Sequence, residues 1–266
     1  MVELVVAGAA GRMGGRIIAL ARDAADLRVT GAFERPGHSA LGHDAGEVAG
    51  VGHLGVPIAV DPGPLLTPGR VLVEFTAPEP SVEHLRIAAA RGAGAVVGTT
   101  GLQAPQVTEV RRLAARVPIL LSPNMSVGVN LAFRVLALMA TALGDDYDVE
   151  ITEIHHRMKK DAPSGTAAKM AEVIAEALGR RIEDAGVYGR HGLVGERTSK
   201  EIGVHALRGG DVVGDHTVVF STAGERLELT HRAHSRDTFA HGALRAVRFV
   251  ATAPPGFYSM HDVLGL

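Results

Sequence analysis

Residues 3–7 of this chain (E-L-V-V-A) run straight into Gly8-Ala9-Ala10-Gly11-Arg12-Met13-Gly14, and this junction constrains the fold more than any other stretch. A short apolar, β-branched run reads as a buried strand. Residues 12–22 then follow helical spacing, with Met13, Ile17, Ile18 and Leu20 apolar, and residues 27–33 (L-R-V-T-G-A-F) form a second strand that ends in Glu34-Arg35. Strand, glycine turn, helix, strand, acid is the opening of a dinucleotide-binding βαβ unit. Glycines let the backbone turn tightly and approach a pyrophosphate, to which the helix N-terminus offers N–H groups and partial positive charge. Glu34 sits about 20 residues beyond the last glycine, where it can accept hydrogen bonds from a ribose. The spacing is G-x-x-G-x-x-G rather than G-x-G-x-x-G, so an ordinary βα turn is the competing reading, against which the position of Glu34 counts. Arg35 could meet a 2′-phosphate, which would permit NADPH as well as NADH; a solvated arginine is its alternative.

The alternation continues. Residues 36–57 read as a long surface excursion whose His38, His43 and His53 fit no metal-ligand spacing. Residues 71–75 are a strand, Ser81 caps a helix running to residue 91, and residues 95–97 are a strand closed by Gly98-Thr99-Thr100-Gly101. A helix over 105–116 and a strand over 118–121 lead to Ser122-Pro123-Asn124-Met125. Strands alternating with helices imply a parallel sheet with right-handed crossovers, and ligands of such sheets bind at the carboxyl ends of the strands. A long apolar helix over 127–143 carries the chain out of this array. After an irregular stretch over 183–201, strands over 202–207, 211–220 and 226–231 come in succession, with turns at Gly209-Gly210 and Ala223-Gly224, and a helix over 237–250 returns. The predicted fold is α/β. A Rossmann-type parallel-sheet domain (residues 1–126 and 236–266) binds the dinucleotide. A second α+β domain with a mixed sheet (residues 127–235) serves substrate binding and oligomerisation.

Bulk properties narrow the function classes. The chain has 266 residues, a formal net charge of −2 and no cysteine. That charge gives no general electrostatic case for nucleic-acid or anionic-membrane binding. Without cysteine there is no disulfide, thiolate metal site or thiol nucleophile, and nothing else suggests a metal. No apolar run approaches the roughly 20 residues needed to span a bilayer, and no basic segment precedes a hydrophobic one at the N-terminus; a cytoplasmic protein is expected.

The densest chemistry lies at Glu153 to Thr166, E-I-H-H-R-M-K-K-D-A-P-S-G-T. On the preceding strand Ile151, Glu153 and His155 share one face. A carboxylate at Glu153 close to His155 would favour the protonated imidazole, which suits a proton donor. His155 and His156 point oppositely along a strand, so both can serve one pocket only if the strand ends there. Lys159 adds positive charge. Ser164 is the expected N-cap of a helix with the apolar stripe Ala167, Met170, Ala171, Ile174 and Leu178, and its N-terminus with Gly165 and Thr166 makes an anion cradle. Proton donor, cation and cradle together point to an anionic, carboxylate-bearing substrate. Singly, each residue has an ordinary explanation: a helix cap, solvated lysines, edge histidines.

Here the sequence resembles the 4-hydroxy-tetrahydrodipicolinate reductase (dihydrodipicolinate reductase) family of bacterial lysine and diaminopimelate biosynthesis. The family signature E-x-H-H-x-x-K-x-D-x-P-S-G-T-A stands intact as Glu153, His155, His156, Lys159, Asp161, Pro163, Ser164, Gly165, Thr166 and Ala167. The N-terminal V-A-G-A-A-G-R-M-G, Glu34-Arg35, Gly98 to Gly101, Asn124 to Asn130 and the closing Thr238 to Ala243 also match in order. The resemblance implies that His155 is the proton donor, Lys159 the second catalytic residue and His156 a substrate contact, with Gly165 and Thr166 holding a substrate carboxylate. It implies that Gly8, Ala9, Ala10, Gly11, Arg12, Met13, Glu34, Arg35, Gly98, Thr99, Thr100, Ser122, Pro123, Asn124 and Met125 bind NADH and/or NADPH. Ser122-Pro123 departs from the residues usual before Asn124, where contacts would run through backbone. A homotetramer built through the second domain's sheet is implied as well. Other two-domain nicotinamide oxidoreductases, such as semialdehyde or sugar dehydrogenases, are the nearest alternatives, and a non-catalytic redox sensor is a more distant one. The absent cysteine argues against the thiol-dependent semialdehyde class, the His155-His156-x-x-Lys159 context against the other dehydrogenases, and an intact proton donor with its anion cradle against the sensor.

Overall fold

The computed structural model describes residues 1–266. The chain divides into two compact units, Met1–Val127 with Asp237–Leu266, and Gly128–Arg236. The first begins with β1 (Val2–Ala7), α1 (Arg12–Arg22), β2 (Leu27–Phe33), α2 (Ala45–Val48), β3 (Ile58–Ala59), β4 (Arg70–Glu74), α3 (Pro78–Arg91), β5 (Gly94–Val97), α4 (Ala104–Ala114) and β6 (Pro118–Leu121). Helix α5 (Val127–Leu143) leads into the second, which holds β7 (Asp148–His155), α6 (Gly165–Ala177), α7 (Ile182–Ala185), β8 (Gly186–Tyr188), β9 (Ile202–Arg208), β10 (Gly214–Thr222) and β11 (Glu225–Ala233). The chain rejoins the first unit with α8 (Asp237–Val250), β12 (Gly256–Tyr258) and α9 (Met260–Leu264).

In the first unit the strands are ordered β12-β6-β5-β4-β1-β2-β3, and every pairing is parallel. β1 is apolar from Leu4 to Ala7 because both faces of that run are covered. Leu4 and Val6 pack with Ile17, Ile18 and the α8 residues Ala243 and Val247 on one side. Val5 and Ala7 pack with Leu85, Val110 and Ile119 on the other. Strand order reverses between β1 and β4, which places a topological switch point, and hence a ligand crevice, at the carboxyl ends of these strands.

The second unit is a mixed five-stranded sheet, β11-β10-β7-β9-β8, in which β7 is antiparallel to β10 and parallel to β9. Helices α5 and α6 cover one face: Phe133, Leu136, Met170 and Ile174 pack with Val149, Ile151, Val204, Val218 and Phe220. Along β7 burial alternates so that Val149, Ile151, Glu153 and His155 face this core. The last two positions of an apolar row are thus given to an acid and a histidine.

The structure differs from the sequence-based expectations at several points. Ser81 is not the cap of α3. The helix starts at Pro78 with Ala77 as N-cap, because prolines are tolerated in a first turn, and Ser81 is buried inside it with its hydroxyl 2.7 Å from that of Thr99. Strands β9 and β10 do not pair across the Gly209-Gly210 turn; β7 lies between them. The irregular stretch 183–201 contains part of α7 and β8, and the excursion 36–57 contains α2, whose N-cap Asp44 accepts from the N–H groups of Gly46, Glu47, Leu54 and Val56. Elements of three or four residues are too short to show a period. Finally, Val127–Asp146 forms a helical stretch of 20 residues with a mean hydropathy of 1.7, long and apolar enough by length and composition to cross a bilayer. Its buried face (Val129, Ala132, Phe133, Leu136, Ala140) belongs to the second unit's core, and one such helix is weak evidence for a membrane span.

Candidate active site

In the first unit the candidate cofactor residues follow the carboxyl ends of four parallel strands: Gly8 to Met13 after β1, Glu34-Arg35 after β2, Gly98 to Thr100 after β5 and Ser122 to Met125 after β6. The glycine turn is built for close approach. Gly8 adopts φ +61°, a left-handed conformation that favours glycine. A Cβ on Gly14 would lie 2.2 Å from the Gly8 carbonyl oxygen, so helix and turn press together there. The N-cap of α1 is Gly11, which brings no capping side chain, and the first-turn N–H groups are left to an outside acceptor such as a phosphate. Glu34 is buried, and its carboxylate accepts from the N–H of Ala10 (3.1 Å) and of Arg35 (3.2 Å), which holds it over the turn. The Arg35 residue is exposed. At the ends of β5 and β6, Thr99 is tied to Ser81, Ser122 Oγ donates to the Asn124 carbonyl at 2.7 Å, and Asn124 Oδ1 accepts from the Ser126 N–H at 2.8 Å. The two Asn124 bonds tie side chains to backbone and set the course of the chain after β6. The residues fit a nicotinamide dinucleotide.

In the second unit a buried ionic cluster sits where β7 ends. Glu153 is fully buried. Its Oε2 lies 2.6 Å from His155 Nδ1 and accepts from Arg208 at 2.8 Å, while Oε1 accepts from Arg208 at 3.0 Å and from the Ser164 N–H at 3.0 Å. Burial by itself would raise the Glu153 carboxyl, but Arg208, His155 and the Ser164 N–H outweigh it and hold the group below the ordinary carboxylate range. An ionised carboxylate only accepts, so Nδ1 of His155 carries a hydrogen and Nε2 is the atom left for outside chemistry. Nε2 borders Gly214 of β10, where a Cβ would lie 2.9 Å away; the glycine keeps space open beside the ring.

Strand β7 ends at His155, as the paired histidines require. The chain turns at once: the Gly209 N–H donates to the His155 carbonyl, the His156 N–H to that of Val212 and the Arg157 N–H to that of Gly210. His156 Nδ1 is enclosed without a partner. Lys159 Nζ donates to both oxygens of Asp161, each at 2.8 Å, and this lysine holds the Asp161 carboxyl below its ordinary value. Ser164 caps α6, its Oγ accepting from the Ala167 N–H at 3.2 Å. Gly165, the first helical residue, has no atom within 4 Å of where a Cβ would stand. Packing does not demand a glycine there, so the open space is a property of the helix N-terminus itself.

Two residues of this cluster escaped the sequence reading. Arg208 ends β9 just before Gly209-Gly210, and His216 lies on β10 with Nε2 3.1 Å from Ser164 Oγ. Each comes from a strand far along the chain, and only the register Glu153 to Ala206 and Glu153 to His216 brings them near. The alternation of buried positions along β10 was the one available signal for His216.

Two family models match: that described as dihydrodipicolinate reductase, N-terminus, over residues 2–125, and that described as dihydrodipicolinate reductase, C-terminus, over residues 128–264. The chain belongs to the dihydrodipicolinate reductase family. It is 52% identical over 265 residues to the 4-hydroxy-tetrahydrodipicolinate reductase of Syntrophus aciditrophicus, covering 100% of this chain and 99% of that one. It is 53% identical over 266 residues to that of an Anaeromyxobacter species, covering 100% and 98%. Among solved structures, a dipicolinate-bound dihydrodipicolinate reductase from a Paenisporosarcina species shares the fold with a TM-score of 0.78 at 22% identity, covering 98% of each chain. An amine dehydrogenase from Mycobacterium smegmatis shares it with a TM-score of 0.60 at 18% identity, covering 97% and 95%. Dihydrodipicolinate reductases are oxidoreductases, and this family with its parallel α/β unit implies a nicotinamide cofactor.

Proposed function

We propose that this protein reduces 4-hydroxy-tetrahydrodipicolinate (dihydrodipicolinate) to tetrahydrodipicolinate in lysine and diaminopimelate biosynthesis, in the cytoplasm. The observation that carries the reading is the buried Glu153–His155 pair beside the glycine-fronted N-terminus of α6. When bound, NADH or NADPH supplies the hydride. The first unit's turn from Gly8 to Met13 would receive the pyrophosphate, Glu34 the ribose, and the segments Gly98 to Thr100 and Ser122 to Met125 the nicotinamide half. Loss of the 4-hydroxyl as water gives the conjugated dihydrodipicolinate ring; hydride addition to that ring leaves negative charge, which the His155 imidazolium would quench by giving up the Nε2 proton. Glu153 stays ionised and stabilises the imidazolium that has yet to donate. Gly165, Thr166 and the positive end of the α6 dipole would hold one carboxylate. Lys159, with His156, would meet the other charge of a dicarboxylate. Its present partner Asp161 has an exposed side chain, so substrate can compete for the ammonium at small cost.

The test is direct. The condensation product of aspartate semialdehyde and pyruvate is supplied with NADH or NADPH, and nicotinamide absorbance is followed; no turnover with either would end this reading. For the cofactor, the exposed Arg35 beside the pinned Glu34 supports use of both nucleotides. Arg35→Ala should raise KM for NADPH by about tenfold, the worth of one exposed charge-assisted contact, and leave KM for NADH within about twofold. Equal effects would mean that Arg35 does not read the phosphate.

The same reading makes the protein a homotetramer assembled through the second unit's sheet. The sheet face away from α5 and α6 carries an ordered network in which Glu150 accepts from Arg190 (2.9 Å) and Arg197 (3.0 Å) and lies 2.7 Å from His205, with the exposed Leu207 nearby on β9. Light scattering should give four times the chain mass of 27.7 kDa; a monomer at micromolar concentration would contradict this.

A further inference from the structure

His216 has no part in the chemistry above, yet it occupies the centre of the cluster. It pairs in register with Glu153 across the β7–β10 ladder and with His231 across β10–β11. It is 4% exposed. Its Nε2 is 3.1 Å from Ser164 Oγ, and its ring meets that of His155 edge-on, with centroids 5.2 Å apart and planes at 74°. Ser164 is therefore held twice, its N–H by Glu153 and its Oγ by His216, and the same two residues flank the ring of His155.

We propose that His216 is a positioning residue that fixes the Ser164 end of the carboxylate cradle against the ring of the proton donor, so that a bound dicarboxylate meets Nε2 of His155 in a single register. The inference rests on the function proposed above. Charge and hydrogen bonding agree with it. Burial, then the neighbouring His155, push the His216 imidazole down to about 4, so it is neutral at physiological pH and adds no cation beside the donor. Its Nδ1 is buried without a partner. A neutral ring whose Nε2–H donates to Ser164 Oγ leaves only a lone pair unmet there, whereas the other tautomer would bury an unpaired N–H, the costlier fault. Ser164 Oγ then accepts from both His216 and the Ala167 N–H, and its rotamer is fixed. Gly214, two residues earlier on the same face of β10, leaves room beside Nε2 of His155. One strand thus both clears the space next to the donor and sets the distance to the cradle.

The experiment compares wild type, His216→Phe, His216→Gln, Ser164→Ala and the His216→Phe/Ser164→Ala pair. Dipicolinate, a flat dicarboxylate that is already aromatic, is the calorimetric probe, and turnover is measured in parallel. Phe keeps a ring edge against His155 but cannot bond to Ser164; Gln restores an N–H near the Nε2 position. His216→Phe should weaken dipicolinate and lower kcat/KM by about tenfold each, with KM for the nucleotide unchanged, and Gln should recover most of both. The double variant should bind no worse than Ser164→Ala alone. Equal losses in Phe and Gln, or additive losses in the pair, would overturn the role. If His216→Phe fails to fold by thermal melt, His216→Asn, too short to reach Ser164, replaces it with the same expectations. Wild type that binds dipicolinate but turns over nothing would refute the reductase reading, while the binding comparison would still decide the role of His216.

Discussion

His155→Ala should lower kcat by about 10²–10⁴-fold, the usual worth of a positioned general acid, while leaving nucleotide affinity within about twofold. The asymmetry follows from the division of the chain. His155 ends a strand of the second unit, whereas the glycine turn, Glu34 and the segments after β5 and β6 belong to the first. Loss of the imidazole takes away the proton delivered as charge develops, and with it a buried partner of Glu153. Steady-state turnover and calorimetric titration with NADH on the same preparation read the two quantities separately. An unchanged kcat would remove His155 from the chemistry, and a parallel loss of nucleotide affinity would mean that the substitution had spread beyond its own unit.

Arg208→Met should be the most damaging substitution to stability at this site. It removes both guanidinium bonds from a fully buried carboxylate and leaves the carboxylate behind. Breaking a buried pair from one side typically costs about 3–5 kcal/mol, because the remaining charge is left uncompensated. The sign of the pH dependence follows from Glu153. In the native protein its folded value lies below its ordinary one, so it contributes stability that is present above the unfolded value and lost as pH falls through the folded one. Without Arg208 the burial penalty prevails and the folded value rises. The variant is then weakest at neutral pH, and the gap to wild type narrows as acid protonates Glu153. Thermal midpoints at matched protein concentration, taken at about pH 7 and about pH 5, measure this; a gap independent of pH would mean that Arg208 acts by packing alone. Turnover should fall too, since Glu153 freed from Arg208 no longer fixes His155 Nδ1.

Legibility from sequence followed the physics of each feature. The strand-turn-helix opening, the α5 span, the end of β7 at His155 and the Ser164 cap were readable because each is written in neighbouring residues. Ser81 was misplaced because a capping residue and a buried hydroxyl in a first turn look alike when two prolines precede them. The order of the second sheet was not readable, since β7, which separates β9 from β10, precedes both by more than fifty residues. For that reason Arg208 and His216 were missed, while Glu153, two residues from its histidine, was found. The candidate residues of the first unit could be named individually, but the bond from the Ala10 N–H to Glu34, which joins the two halves of the fingerprint, links the segments that follow β1 and β2 and depends on how those strands pair.

The placement of α8 has a consequence for how the protein is made. Ala240, Ala243, Leu244, Val247 and Val250 supply much of one face of the core under β1 and β4, and β12 adds the edge strand beside β6. All of them lie in residues 237–266. A ribosome therefore releases the whole of Gly128–Arg236, a contiguous unit, while the nucleotide-binding sheet still exposes an apolar face to water. His155 and the Ser164 end of α6 can assemble during synthesis, and the first unit closes only when α8 emerges. Cleavage before Asp237 would accordingly leave Val6, Ile17 and Ile18 uncovered, and the loss would fall on dinucleotide binding first.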